Sequence, residues 1–147
     1  MSLYRLDTST FADPVQLGLV RLRVMLLATL VGARGTRYVL TYHPTDLGRV
    51  HAATSHYILS TASRLEPAHG CERVTAPLTD AALASLLSPL QVAVTGEILN
   101  WEGFVIADDS RTILLVEEYG SIVLVDLSDD DRRLIGELGF GRWLIPA

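Results

Sequence analysis

The chain of 147 residues contains twelve basic residues, all of them arginine, and no lysine. The absence of lysine excludes lysine Schiff-base chemistry, a P-loop lysine and a Ser-Lys dyad. Seventeen acidic residues give a net charge of −5, and the hydrophobic content of 49% predicts either very full packing or apolar surface that an assembly covers. Two explanations of the missing lysine stay open, namely GC-rich codon usage and selection against lysine modification or lysine-directed degradation.

The length is that of one ordinary domain, so a single domain over 1–147 is expected. The longest apolar stretch, 17–31, is interrupted by Arg21 and Arg23 and is shorter than the ~20 residues of a membrane span. The N-terminus lacks a basic segment followed by an apolar one, so no signal peptide is expected. The single cysteine, Cys71, precludes an internal disulfide, and these features together predict a cytoplasmic protein.

The first predicted element is a helix over about 14–31. Asp13-Pro14 is typical of a helix start, with a capping acid followed by proline at the first helical position. A stripe of small or polar residues and a set of leucines on the other faces give the helical spacing. The stripe consists of Gly18, Arg21, Met25, Ala28 and Gly32, and the leucines are Leu19, Leu22, Leu26, Leu27 and Leu30. The alternation of apolar residues with Arg21 and Arg23 leaves a strand as the alternative.

The next predicted elements are a strand and two helices. Residues 37–42 are rich in β-branched and aromatic side chains, which predicts a strand that His43-Pro44 ends. A second helix begins at Thr45, and 66–70 is predicted to be loop. The apolar face of this helix carries Leu47, Val50, Thr54, Ile58 and Leu65. A third helix starts near Thr79 and is limited by Pro89.

The C-terminal part predicts an antiparallel meander over about 92–127. Its strands are apolar on both faces, so both faces are expected to be covered, by helices or by a partner. The hairpin connections are Asp108-Asp109-Ser110 and Glu118-Tyr119-Gly120. Ser128 caps a helix whose first turn holds three aspartates, and Gly139 ends it. Residues 141–145 are predicted to form a short final strand or an anchored tail. The predicted fold is α+β, with the meander and final strand packed against three to four helices.

The candidates for chemistry are weak. His51 and His56 point about 140° apart on a helix and do not form a metal pair, and no metal or cofactor is predicted. The pairs His51 with Ser55 and His69 with Cys71 are conceivable nucleophile pairs, but neither has a visible third member. Carboxylates near the meander suggest a hydrolase or magnesium site. The same carboxylates are also explained by their places in hairpin turns and at a helix N-terminus. No Gly-rich phosphate loop, GxSxG or CxxC motif is present.

The distribution of charge indicates the kind of partner. Residues 1–75 carry eight arginines against five acids, a net of +3, and residues 76–147 carry four arginines against twelve acids, a net of −8. An acidic half repels nucleic acid and attracts a basic protein. A large aromatic in a loop is typical of an interface anchor, although a core position for Trp101 is the open alternative. The predicted partner-binding residues are Trp101, Asp108, Asp109, Glu117, Glu118 and Tyr119.

These features favour a non-catalytic protein-binding module, such as a small cytosolic inhibitor or immunity-type protein that blocks a basic partner. The first alternative is a small hydrolase or ligand-binding enzyme with His43, His51, His56 or Cys71 in a pocket between the helices and the meander. The second alternative is a structural subunit of a homo-oligomer, which the hydrophobic content favours. Neither nucleic acid nor membrane is an expected partner.

Overall fold

The computed structural model describes residues 2–8, 14–45, 50, 52–88 and 101–147. Within these residues there are eight strands and four α-helices. The strands are β1 (Ser2–Leu6), β2 (Arg37–Tyr42), β3 (Arg64–Ala68), β4 (Cys71–Pro77), β5 (Gly103–Ala107), β6 (Thr112–Glu117), β7 (Ile122–Leu127) and β8 (Leu144–Pro146). The helices are α1 (Pro14–Gly32), α2 (Ala52–Thr61), α3 (Asp80–Leu87) and α4 (Asp129–Glu137). All these strands form one sheet in the order β3-β4-β2-β5-β6-β7-β1-β8, and every neighbouring pair is antiparallel. The predicted α+β class is confirmed.

One face of the sheet is buried under the helices. In β2 the side chains of Tyr38, Leu40 and Tyr42 are buried, whereas Val39 and Thr41 on the opposite face are partly exposed. This alternation follows from the two-residue repeat of a strand. Helix α1 packs on β6 and β7, α2 on β4 and α4 on β7, while α3 packs on α1 and α2. On the opposite face the described strands carry partly exposed side chains, and the described residues leave this face uncovered. The expectation that helices or a partner cover both faces of the meander stays a prediction.

Helix α1 confirms the helical interpretation of the first apolar segment and rejects the strand alternative. Its sheet-facing side chains are fully buried and recur at helical spacing: Val20, Val24, Leu27, Ala28 and Val31. The leucines that we expected to pack are therefore divided between two sides, because Leu27 faces the sheet whereas Leu19 and Leu22 face outward. By length and composition alone α1 could cross a membrane, a test that the core helix of a soluble protein also passes.

The region between α1 and α3 differs most from the sequence-based prediction. Helix α2 begins at Ala52, so Leu65 lies outside it in β3, and the predicted loop 66–70 is largely strand. His69 and Gly70 have φ angles of 50° and 83°, so they form the tight turn between β3 and β4. Neither of these strands has a strong apolar alternation, because β3 is an edge strand and is largely exposed. Strand β1 was likewise not predicted, since its pairing with β7 joins distant parts of the chain.

Local signals for caps and turns are confirmed. The Thr79 hydroxyl accepts from the Ala82 N–H at 3.1 Å, and Ser128 forms a reciprocal capping box with Asp131. Gly139 has a φ of 86°, as expected for a helix C-terminus. The meander is confirmed over β5, β6 and β7. The predicted final strand 141–145 is shorter in the structure, because 141–143 form a 3₁₀ turn and β8 begins at Leu144. The predicted strand 92–97, the helix limit at Pro89 and the cap at Asp13 lie outside the described residues.

Candidate functional site

The uncovered face of the sheet contains a groove of about 550 Å³, which lies within the range of natural ligand sites. We call it the sheet groove. It crosses five adjacent strands from β3 to β6, and the residues that line it are Val39, Thr41, Glu66, Ala68, His69, Cys71, Arg73, Thr75, Glu102, Gly103, Phe104, Val105, Leu115, Val116 and Glu117.

The floor of the sheet groove is apolar. Val39 of β2 lies opposite Val105 of β5, which in turn lies opposite Leu115 of β6. All three side chains are partly exposed. Gly103 lies beside them and must be glycine, because a Cβ there would collide with the carbonyl oxygen of Val116. The missing side chain keeps the floor open where β5 begins.

The first wall of the sheet groove is the hairpin of β3 and β4. Glu66 and Arg73 are opposite each other in the register of these two strands, and both are partly exposed. His69 occupies the turn at a positive φ, and Cys71 follows it on β4. Positive φ is uncommon for residues other than glycine, although histidine adopts it more often than most, so the backbone of this turn is an unusual one.

The second wall consists of Glu102 and the end of β6. Glu117 is the last residue of β6, and the connection to β7 is attached to the wall because the Tyr119 N–H donates to the Glu102 carbonyl at 2.9 Å. Glu118 and Tyr119 have φ angles of 50° and 56°, and the Ser121 hydroxyl donates to the Glu118 carbonyl at 3.0 Å. With His69, these are the non-glycine residues of positive φ in the described ranges, and all three lie at the same end of the sheet.

The charge of the sheet groove is negative. Three carboxylates, those of Glu66, Glu102 and Glu117, face one guanidinium, that of Arg73. No ion pair involves Glu102 or Glu117 within residues 2–8, 14–45, 50, 52–88 and 101–147. Both carboxylates are therefore available to a cation from outside the chain.

Most other acids of the C-terminal half are engaged within the structure. Asp131 pairs with Arg34 at 2.9 Å, and Asp126 pairs with Arg111 at 3.1 Å. Earlier in the chain, the Tyr42 hydroxyl donates to Glu72 at 2.5 Å, and burial raises the pKa of Tyr42. These carboxylates stabilise the fold, and they leave less of the acidic charge for a partner than the sequence count suggests.

The predicted partner-binding residues do not form one patch. Asp108 and Asp109 are at one end of β6, and Glu117, Glu118 and Tyr119 are at the other. The Asp108 carboxylate accepts from the backbone N–H groups of Ser110 and Arg111, and the hydrogen bond from Ser110 lowers the pKa of Asp108 most. These hydrogen bonds stabilise the turn, so the presence of Asp108 is explained by the fold and does not require a binding partner.

Trp101 is a core residue, so its assignment as an exposed anchor was wrong. Its exposed fraction is 0%, and its indole N–H donates to the Leu86 carbonyl at the end of α3 at 3.0 Å. The ring also lies 6.3 Å from the Tyr42 ring. The reason is that the start of β5 directs the indole to the helical side, where it satisfies its one polar group. Glu102, its neighbour, is the residue that lines the groove, and sequence reasoning did not select it.

The two sequence halves of opposite charge are interleaved in space. Strand β1 of the N-terminal half lies between β7 and β8, and α1 packs on β6 and β7. The +3 and −8 halves therefore do not separate into two sides of the molecule. The sheet groove itself combines Glu66 and Arg73 from the first half with Glu102 and Glu117 from the second.

The sequence suggested two nucleophile pairs, and among the described residues the pair that lines the sheet groove is His69 with Cys71. This groove is on the uncovered face and not between helices and meander, where we expected an enzyme pocket. His56 is exposed on α2, on the helical side, and His43 is exposed just after β2. His51 lies outside the described residues, so its pairing with Ser55 stays a prediction.

No group of three or more His, Cys, Asp or Glu residues close enough to hold a metal ion occurs in the described portion of the chain. We expect the melting temperature to be unchanged by a chelator and by a reductant. The spacing of possible ligands does not support a structural metal site, and a single cysteine cannot form an internal disulfide. Thermal unfolding with EDTA and with dithiothreitol checks this, with untreated protein as the control. A large drop with EDTA would show that carboxylates of this chain hold a structural cation.

No family model, curated protein or solved structure matches the chain.

Proposed function

We propose that the protein is a non-catalytic protein-binding module, and that the sheet groove holds a basic segment of its partner. The observation that carries this proposal is the position of Glu66, Glu102 and Glu117 around an apolar floor on the uncovered face of the sheet. A small cytoplasmic inhibitor of a basic protein, of the immunity type, is the biological role that we propose for such a module.

The chemistry of the sheet groove suits arginine or lysine side chains. Their aliphatic stems pack on Val39, Val105 and Leu115, while the charged heads reach the carboxylates on the walls. A hydrogen bond between a cation and a carboxylate is about twice as strong as one between neutral groups. The positive charge of Arg73 repels a cation near Glu66. We therefore expect the partner's cations to contact Glu102 and Glu117.

The walls support a binding role because their connections hold residues in uncommon backbone conformations. Three non-glycine residues at positive φ, His69, Glu118 and Tyr119, lie in the connections that form them. Each such conformation costs on the order of 1–3 kcal/mol and is typical of functional sites. A preformed groove loses little conformational entropy on binding, which increases affinity for a given set of contacts.

Titration with a short arginine-rich peptide tests this proposal, with a glutamate-rich peptide of the same length as the negative control. We expect the arginine-rich peptide to bind and its affinity to fall as salt is raised, because screening weakens the ion pairs. Glu102→Gln combined with Glu117→Gln should raise the Kd roughly tenfold or more. Isothermal titration calorimetry gives the Kd, and amide chemical shifts show where the peptide lies.

The matched control is Asp129→Asn combined with Glu137→Gln. This variant removes the same two charges from exposed positions of α4, outside the sheet groove. It should leave the Kd within about twofold of the wild type, because long-range attraction between exposed charges is weak at physiological salt. Equal losses in the two double variants would contradict a specific site and leave only the net charge as the cause.

Asp108 and Asp109 provide a second comparison, because they were predicted contacts that lie at the far end of β6 from the second wall. Asp109 accepts a hydrogen bond from the Thr36 hydroxyl at 3.3 Å and is exposed. If the partner binds at that end instead, Asp109→Asn will weaken binding more than the groove variant does.

A second candidate function is an enzyme that uses the Cys71 thiol with His69. The observation that favours it is that both side chains line the sheet groove. Hydrolysis of an activated ester that disappears in Cys71→Ser, while peptide binding is retained, would favour this function over the binding module.

A further inference from the structure

The outward face of α1 is apolar and exposed, on the opposite side of the molecule from the sheet groove. The exposed fractions of Val15, Leu19 and Leu22 are 70%, 39% and 50%. Gly18 and Thr29 lie on the same face and are also exposed, and Leu26 is partly exposed. Contiguous apolar surface of this kind marks interaction sites in soluble proteins. We call these six residues the α1 stripe.

The polarity of α1 differs from that of an ordinary surface helix, because its outward side is apolar as well as its sheet-facing side. Its only charged residues, Arg21 and Arg23, have exposed fractions of 8% and 9%. The Arg23 guanidinium lies over the Trp143 ring at 4.1 Å and is thereby partly sheltered from water. A surface helix normally directs its charges outward and its leucines inward. Here Leu19 and Leu22 face outward along the α1 stripe while Leu27 faces the sheet, and the stripe carries no charge.

We infer that a second copy of this chain covers the α1 stripe, and that the protein is a two-fold symmetric dimer in which two α1 helices pack antiparallel. Val15, Leu19, Leu22 and Leu26 follow one another at spacings of four, three and four residues. This is the spacing of a helix–helix seam, and such a seam is complementary to itself. The antiparallel arrangement places Leu19 of one copy against Leu22 of the partner subunit and opposes the two helix dipoles.

Charge and size both favour a second copy as the occupant. Each chain has a net charge of −5, so two copies repel each other where their acids are brought together. Contact through the uncharged α1 stripe avoids this repulsion. Helix α1 has 19 residues. At 1.5 Å per residue it is roughly 28 Å long. Two such helices packed along their length bury on the order of 1,000 Å², the area at which specific interfaces begin.

Other routes to self-association are less favourable among the described surfaces. The two edge strands are β3 and β8, and each contains a proline, Pro67 and Pro146 respectively. Proline cannot donate a backbone hydrogen bond, so it hinders the addition of a strand at either edge. Pairing through the sheet grooves would oppose like carboxylates. The dimer through α1 instead leaves both grooves open, which would make the proposed binding module bivalent.

Sedimentation velocity and light scattering of the full chain test this inference. We expect a dimer for the wild type and a folded monomer for Leu19→Glu, with the dimer Kd raised at least about a hundredfold by burial of two unpaired carboxylates. Leu59→Glu is the matched control, because Leu59 is on α2 and its exposed fraction is 40%, against 39% for Leu19. The control variant should remain a dimer.

Gly18→Gln is a second variant that separates folding from dimerisation. A Cβ at Gly18 meets no atom within 4 Å in the isolated chain, and glycine is a poor helix former. The substitution should therefore raise the melting temperature of the dilute monomer and weaken the dimer, because its side chain prevents the close approach of the second α1. Circular dichroism at low concentration checks the fold of each variant.

Four outcomes would overturn the inference. They are a wild type that stays monomeric at high concentration, a dimer that persists in Leu19→Glu, a dimer that tolerates Gly18→Gln, and loss of the dimer in Leu59→Glu as well. A monomeric wild type that floats with phospholipid vesicles, and loses this property in Leu19→Glu, would instead assign the α1 stripe to a membrane surface. None of these results depends on peptide binding, so failure here is distinguishable from failure of the sheet groove.

Discussion

Replacing Trp101 with alanine is expected to lower the free energy of unfolding by about 3–5 kcal/mol, the range found for buried large aromatics. The indole is fully buried between Tyr42 and the end of α3, so its removal leaves a cavity that the rigid sheet cannot close. The Leu86 carbonyl also loses the donor at 3.0 Å. A loss of this size would make Trp101 one of the main determinants of stability, as its burial implies.

Urea unfolding followed by circular dichroism measures this effect. Trp143→Ala is the control, because Trp143 is partly exposed, lies at the border of the core, and contacts the guanidinium groups of Arg23 and Arg142. We expect a clearly smaller loss for this control. A Trp101→Ala variant within about 1 kcal/mol of the wild type would contradict the buried position and restore the surface anchor that the sequence suggested.

Val123→Asp is expected to cost several kcal/mol, whereas Leu115→Asp is expected to cost clearly less. Val123 is fully buried on the helical side of β7, so an aspartate there is an unpaired charge in the core. Leu115 lies on the neighbouring strand but faces the sheet groove and is partly exposed. Its carboxylate can therefore reach water, although it lies near Glu117 and opposes a like charge.

The midpoints of thermal and urea unfolding of the two variants check this difference. From the sequence alone both substitutions are expected to be equally severe, because the meander strands are apolar on both faces. Equal and large losses would mean that the floor of the sheet groove is covered, and would contradict the uncovered face on which the proposed function depends.

The elements that could be predicted from the sequence are those with local signals. Helix α3 follows from the Thr79 cap, α4 from the Ser128 capping box, and β2, β6 and β7 from short runs of apolar and β-branched residues. Strand β2 pairs with β4 and β5, which are distant in sequence, but the side-chain pattern that marks it as a strand lies within its own six residues. In the two helices the capping hydrogen bonds join residues three positions apart. Such contacts can be recognised without knowledge of the tertiary structure.

Strand β3 was missed although it pairs locally with β4, because it is largely exposed and lacks an apolar alternation. Strands β1 and β4 depend on distant partners, since β1 pairs with β7 and β8 and β4 pairs with β2. The sheet groove has the same origin, because its carboxylates come from β3, from the segment before β5 and from the end of β6. No spacing in the sequence joins Glu66 to Glu102, so only the strand order reveals the site.

The sequence by itself determined the absence of lysine chemistry, the net charge, the helix caps, the turns of the meander and the α+β class. The tertiary structure decided which face of α1 is buried, that Trp101 lies in the core, and which acids remain available to a partner. The physical reason is that caps and turns are satisfied by backbone groups a few residues away. The burial of a side chain, in contrast, depends on which distant element packs against it, and many placements of an apolar helix satisfy its local preferences equally well.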